Sequence, residues 1–206
     1  MLEAINATIE SAMTSPWAYL AMFLAVVVDA FFPLVPGEAV VIAGGVLAAS
    51  GDKNLVWVIV VAALAAFAGD HVSYVIGRFL GAPVARRVLR GRRGRNAYQR
   101  ARRAMQTHGG VAIVALRFVA GGRTATTLIA GMLYYPLARF AAFDALAASA
   151  WGVYIALLGY WAGGIFAGNP LGGVVTGLAI SVVVTVVLEV ARLLLRRRRG
   201  RQRERA

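Results

Sequence analysis

An apolar stretch from Trp17 to Ala49 has about the length of one long membrane span, but its middle is broken by Phe31-Phe32-Pro33-Leu34-Val35-Pro36-Gly37-Glu38. Pro33 and Pro36 each remove a backbone donor and fix φ, and Gly37 permits a turn. Asp29 and Glu38 flank the break. An interrupted backbone with two carboxylates cannot face lipid, where neither the freed polar groups nor the charges find partners. It must be buried in protein or line a wet cavity. Residues 17–50 are therefore expected to form a re-entrant hairpin whose tip reaches into the membrane and supplies half of a site.

The rest of the chain agrees with a membrane setting. Of its 206 residues 60% are hydrophobic and 15% charged, against about 25% charged in soluble domains. The expectation is an all-α polytopic membrane protein with one compact unit. There is no cysteine, which excludes disulfides and thiolate metal sites. With only two histidines, His71 and His108, a His-rich metal site is not expected either, and no cofactor is implied. Residues 1–16 carry only Glu3 and Glu10 as charged side chains, so they are expected to be a short lead-in rather than a cleavable signal peptide.

The net charge of +13 is concentrated in two runs, nine arginines from Arg86 to Arg103 and seven from Arg196 to Arg205. Both lie directly beside apolar spans. That placement points to the positive-inside rule and to contact with anionic headgroups, not to nucleic acid.

In chain order, the hairpin 17–50 is followed by a Gly51-Asp52-Lys53-Asn54 turn and a span over 55–78. That span is long enough to cross, since about 20 apolar residues suffice. Residues 81–109 are expected to lie as a basic helix at the interface. Residues 111–135 are apolar but interrupted by Arg117, Gly121-Gly122 and Arg123, and Pro136 ends them. Spans over 137–162 and 171–195 follow, then the basic tail 196–206. If both basic runs are cytoplasmic, an even number of crossings must separate them, and the broken segment 111–135 is the one that turns back. The chain then holds two re-entrant helical hairpins, each followed by transmembrane helices and entered from opposite faces. This is an inverted repeat of the kind found in transporters. Ala43-Gly44 after the first break echoes Ala130-Gly131 after the second, and Gly77-x-x-x-Gly81 echoes Gly159-x-x-x-Gly163.

The chemistry sits at the two breaks. The first hairpin carries Asp29 and Glu38, the second Arg117 and Arg123. On one continuous helix the arginines would stand about 120° apart; the break at Gly121 and Gly122 lets them converge. A charge at the bilayer centre costs about 2.5–3.5 kcal/mol on insertion scales, which is tolerable if the two tips meet and pair. The groups then form either a salt-bridge cluster that only docks the hairpins, or a transport site. In the second case the forked guanidinium donors suit phosphate oxygens. Carboxylates in apolar surroundings favour their protonated form and so can carry protons. Asp70, Tyr74 and Arg78 form one polar stripe on a helix face, with Asp70 deep enough to require a partner such as Tyr74 or an arginine of the second hairpin. His71, about 100° away on that helix, is read as structural. Glu189 and Arg192 make a local pair, and Trp17, Trp57, Trp151 and Trp161 serve as anchors or packing.

Pro33-x-x-Pro36-Gly37-Glu38, Gly69-Asp70-x-x-x-Tyr74-x-x-Gly77-Arg78-x-x-Gly81, Arg117-Phe118-x-x-x-x-Arg123 and Ala130-Gly131-Met132, in this order, resemble the DedA family of bacterial inner-membrane proteins, also called the SNARE-associated or VTT domain. The likeness runs over 17–165. It implies two facing re-entrant hairpins, embedded acids at Asp29 and Glu38, and essential arginines at Arg117 and Arg123. It also implies lipid translocation, including that of undecaprenyl phosphate, dependence on the proton motive force, and a place in the bacterial inner membrane. The chain departs from the common pattern in two places. Val119-Ala120-Gly121-Gly122 replaces a proline and glycine before the second arginine, and Asp29 stands where relatives often have Glu.

The function expected is a proton-coupled lipid-phosphate flippase or scramblase. The alternatives are a proton-coupled small-solute or cation antiporter and a non-transporting membrane assembly factor. An enzyme is not expected, because no nucleophile with a base beside it is present. A homo-oligomer is left open. The topology is directly testable in this cysteine-free chain: Arg95→Cys and Gly200→Cys should be unreactive to an impermeant thiol label applied outside intact cells. Labelling of either would overturn the assignment of both basic runs to the inside.

Overall fold

A computed structural model describes residues 17–32, 36–81, 90–118 and 122–165. Within them the chain is helical: α1 Trp17–Phe31, α2 Gly37–Ala49, α3 Leu55–Phe79, α4 Arg92–His108, α5 Val111–Arg117, α6 Gly122–Met132 and α7 Leu137–Ile165. Pro33, Gly121, the stretch 82–89 with Arg86, the span expected at 171–195, the tail 196–206 and the lead-in 1–16 lie outside the described residues.

Among the described residues only α3, of 25 residues, and α7, of 29, are long and apolar enough to cross a membrane. Helices α1 and α2 have 15 and 13 residues, fewer than the roughly 20 a crossing needs. The second broken segment is shorter still, with 7 residues in α5 and 11 in α6. The boundaries follow local chemistry. Gly51 takes φ +88° in the turn after α2, a conformation open to glycine at no steric cost. Asn54 caps α3, its side chain accepting from the Val56 and Trp57 amides at 2.9 and 3.4 Å. Pro36 stands at the N-cap of α2, where its missing N–H costs no helical bond.

Helices α3 and α7 cross antiparallel: Gly152 meets the backbone at Ile59 and Ala63, and Phe140 stacks on Tyr74 with centroids 4.7 Å apart. On this pair the two broken segments exchange partners, with α2 packing along α7 and α6 along α3. Glycines make both contacts possible. A Cβ on Gly159 would stand 2.9 Å from Ile42 Cα, and one on Gly45 3.0 Å from Gly159 Cα. At the other contact a Cβ on Gly131 would stand 2.8 Å from the Arg78 amide, and one on Gly77 2.9 Å from the Leu128 carbonyl carbon. The sequence echo is thus displaced by one position: Gly45, not Gly44, packs on α7 as Gly131 packs on α3, and Gly81 has only ordinary contact with Met132. A core of Val26, Ile42, Val58, Trp151 and Ile155 fills the space between α1, α2, α3 and α7, and a smaller one joins Met105 of the basic helix α4 to Ile113 and Phe140.

Backbone-to-backbone approach leaves no room for a side chain, and overpacking typically costs about 1–3 kcal/mol. Gly77→Leu and Gly159→Leu should therefore lower the thermal midpoint of the detergent-solubilised protein. Gly164→Ala, whose added carbon meets nothing within 4 Å, should leave it unchanged or slightly raised.

Candidate functional site

Helix α1 stops at Phe31, so its last carbonyls lack helical partners. The Ala30 carbonyl is met by two side chains, Ser73 Oγ of α3 at 3.2 Å and Thr124 Oγ1 of α6 at 3.0 Å. The break of one segment is thereby pinned to the break of the other. The charges follow the same geometry. Asp29 sits at the negative end of α1 and Arg123 at the positive end of α6, each unfavourable for its own helix. They meet across the junction, Arg123 Nη2 donating to Asp29 Oδ2 at 2.9 Å. Gly37, first residue of α2, lies against the same carboxylate, where a Cβ would come within 2.9 Å of it.

Arg117, at the end of α5, points into the crossing of α3 and α7. Its Nη1 donates to Asp70 Oδ2 of α3 and, at 3.3 Å, to Asp144 Oδ1 of α7. Asp70 and Asp144 are fully buried and Arg117 is 7% exposed. Arg123 Nε lies 3.7 Å from Asp70 Oδ1, which links the outer pair to the inner one. Both guanidiniums lie over the ring of Trp151, at 5.6 and 6.0 Å. Arg117 Nε and Nη2, Asp70 Oδ1 and Asp144 Oδ2 are buried without a hydrogen-bond partner among the described residues. His71, on the next position of α3, has Nδ1 3.6 Å from Asp144 Oδ2 and 2.8 Å from the Phe67 carbonyl.

The VTT domain matches residues 35–161, more than half of the chain. The chain belongs to the DedA, or VTT-domain, family. It is 28% identical to protein DedA of Escherichia coli K12 over 85% of this chain and 83% of that one. It is 33% identical to an uncharacterized membrane protein of Mycobacterium leprae, over 65% of this chain and 60% of the relative. Inner membrane protein YohD of Escherichia coli K12 is 30% identical, over 65% and 68%. No solved structure matches.

In this DedA-family protein four of the predicted acids and arginines, Asp29, Asp70, Arg117 and Arg123, come together. Glu38 stands exposed on the first turn of α2. Among the described residues the ion pairs given for the two arginines run to Asp29, Asp70 and Asp144. Gly37 and Gly122 are helix-starting residues without positive φ; at Gly37 the close approach of Asp29, not a turn, is what demands glycine. The Asp70–Tyr74–Arg78 stripe divides. Asp70 enters the cluster, while Arg78 Nη1 donates to Tyr74 Oη at 3.0 Å and Tyr74 Oη to the Tyr135 carbonyl at 2.5 Å. The bond to Tyr135 ties α3 to the turn before α7. Among the described residues no group of His, Asp and Glu is arranged to hold a metal ion.

One member of the site, Asp144, was not singled out from the sequence, and Trp151 was read only as an anchor or as packing. Asp144 is the sole acid in the apolar run Leu137–Ile165, and an ionisable residue within a span is by itself a sign of function. Trp151 follows it by seven residues on the same buried face. Trp17, Trp57 and Trp161 are instead exposed, as anchors would be.

Proposed function

We propose that the protein is a lipid translocase of the bacterial inner membrane, a flippase or scramblase that moves a lipid phosphate with proton coupling. One observation carries this reading: Arg117 and Arg123 are brought from the second broken segment to a buried cluster of carboxylates, with guanidinium N–H groups of Arg117 left without acceptors among the described residues. A phosphate offers those groups the oxygens that the carboxylates now offer. Protonating a carboxylate weakens its hold on the arginine, so proton binding and phosphate binding become alternatives at the same donors. The positive end of α6, beside Arg123, adds to the attraction for an anion.

In this reading the segments 17–50 and 111–135 are re-entrant hairpins of an inverted repeat, consistent with their short helices and exchanged packing. Arg86–Arg103 and Arg196–Arg205 face anionic headgroups on the cytoplasmic side, where the C-terminus lies, and the protein acts as a transporter, not an enzyme. The reading of the cluster as a purely structural clasp draws on one specific observation, that each arginine is already paired with carboxylates. A cation antiporter is disfavoured by the two arginines, which would repel its substrate.

The test separates clasp from clamp. A guanidinium forks onto phosphate oxygens, whereas an ammonium is a point charge of the same sign. Arg117→Lys and Arg123→Lys should express and insert normally. In liposomes carrying a headgroup-accessible lipid phosphate, with and without a pH gradient, they should lose most transport. Arg139→Lys, at an exposed position early in α7, should retain it. Full transport by both lysine variants would leave the clasp as the better account.

A further inference from the structure

Fully ionised, the cluster is not neutral. Among the described residues Arg117 and Arg123 supply two positive charges, while Asp29, Asp70 and Asp144 supply three negative ones. An unbalanced charge is hard to keep where Asp70 and Asp144 are fully buried. We infer that the cluster binds one exchangeable proton, and that the His71–Asp144 pair is where it enters and is held. Its role in transport rests on the proposed function; its existence does not.

Asp144 uses Oδ1 to accept from Arg117 Nη1 at 3.3 Å. Its Oδ2 is buried without a hydrogen-bond partner among the described residues and faces His71 Nδ1 at 3.6 Å. The tautomer of His71 is set by its neighbour. Nδ1 lies 2.8 Å from the Phe67 carbonyl oxygen, which only accepts, so Nδ1 carries the hydrogen and Nε2 is the nitrogen that takes up a further proton. The ring is held between Phe67 and Phe140, with centroids 4.1 and 5.1 Å away. The His71 side chain is 25% exposed and that of Asp144 0%, so the imidazole is the reachable neighbour of a carboxylate that is not.

The step balances with no other reactant. A proton adds to Nε2, and the imidazolium beside Asp144 cancels the excess negative charge. One N–H forms at Nε2 and none breaks, Nδ1 keeping its hydrogen on the Phe67 carbonyl. Asp144 then stands between two cations, accepting from Arg117 through Oδ1 and facing the imidazolium through Oδ2. The groups facing the pair are Asp70 and Tyr74 of α3, Arg117 of α5 and, one residue further out, Arg123 of α6 with Asp29 of α1. The hydroxyl of Tyr74 is turned away to the Tyr135 carbonyl, and Glu38 of α2 stands exposed.

The experiment uses the full chain in lipid nanodiscs with 15N-labelled histidine. His108→Gln, at the exposed end of α4, leaves His71 as the sole histidine. The ring nitrogens, followed by NMR, report whether His71 holds one hydrogen or two, and Asp144→Asn should lower the fraction holding two at a fixed pH. Asp29→Asn removes the same charge without touching His71 and should lower it less. In protein with Asp144 intact, Nδ1 should keep its hydrogen while Nε2 gains one, a readout independent of whether the variants fold. Equal changes from the two variants, no change at all, or loss of the Nδ1 hydrogen would overturn the site. In the liposome assay, transport insensitive to pH alongside these changes would leave the site standing and remove proton coupling from the proposed function.

Discussion

One guanidinium, that of Arg117, holds the centre together. It bridges two fully buried carboxylates, Asp70 of α3 and Asp144 of α7, from the end of a helix only seven residues long. Neither long helix could keep its acid in an apolar crossing without that partner, because a buried charge is tolerated only when paired. The arginine in turn can be delivered there only because its helix stops at the break. The interruption of the chain is therefore a requirement of the charge cluster.

The same coupling of break and bond recurs at the outer pair. Ending α1 at Phe31 exposes carbonyls, and the one at Ala30 is satisfied from both α3 and α6. Ending it there also sets Asp29 opposite Arg123. Glycines at 45 and 159, and at 77 and 131, bring the backbones close enough for these short-range contacts to form. The packing that buries the charges and the charges that fix the packing are thus one construction, shared among all the described helices except the basic α4.

Much of this was legible in the sequence because the signals were local. Apolar length marked the helices now seen at Leu55–Phe79 and Leu137–Ile165. Proline and paired glycines marked the two breaks, and charge in an apolar segment marked Asp29, Asp70, Arg117 and Arg123. What escaped depended on which faces meet. Glu38 is as close to its break as Asp29, and only the turn of α2 decides that it stands exposed. Asp144 lies in an uninterrupted helix, so no break drew attention to it, although its charge alone was a signal. Gly45 differs from Gly44 only in the helix face it occupies. His71, one residue from Asp70, comes near the cluster through α7, an element that its own helix pattern does not reveal.

The central claim is that Arg117 and the buried acids act as one energetic unit, and a double-mutant cycle measures that directly. Arg117→Met alone strands Asp70 and Asp144 and should destabilise the protein by about 3–5 kcal/mol, the usual cost of breaking a buried pair from one side. Arg117→Met with Asp70→Leu removes charge of both signs. Unfolding free energies in detergent should then show the double variant more stable than the sum of the single effects by about 1–3 kcal/mol. Additivity within about 0.5 kcal/mol would mean that the arginine and the aspartate do not depend on each other, and would contradict the account.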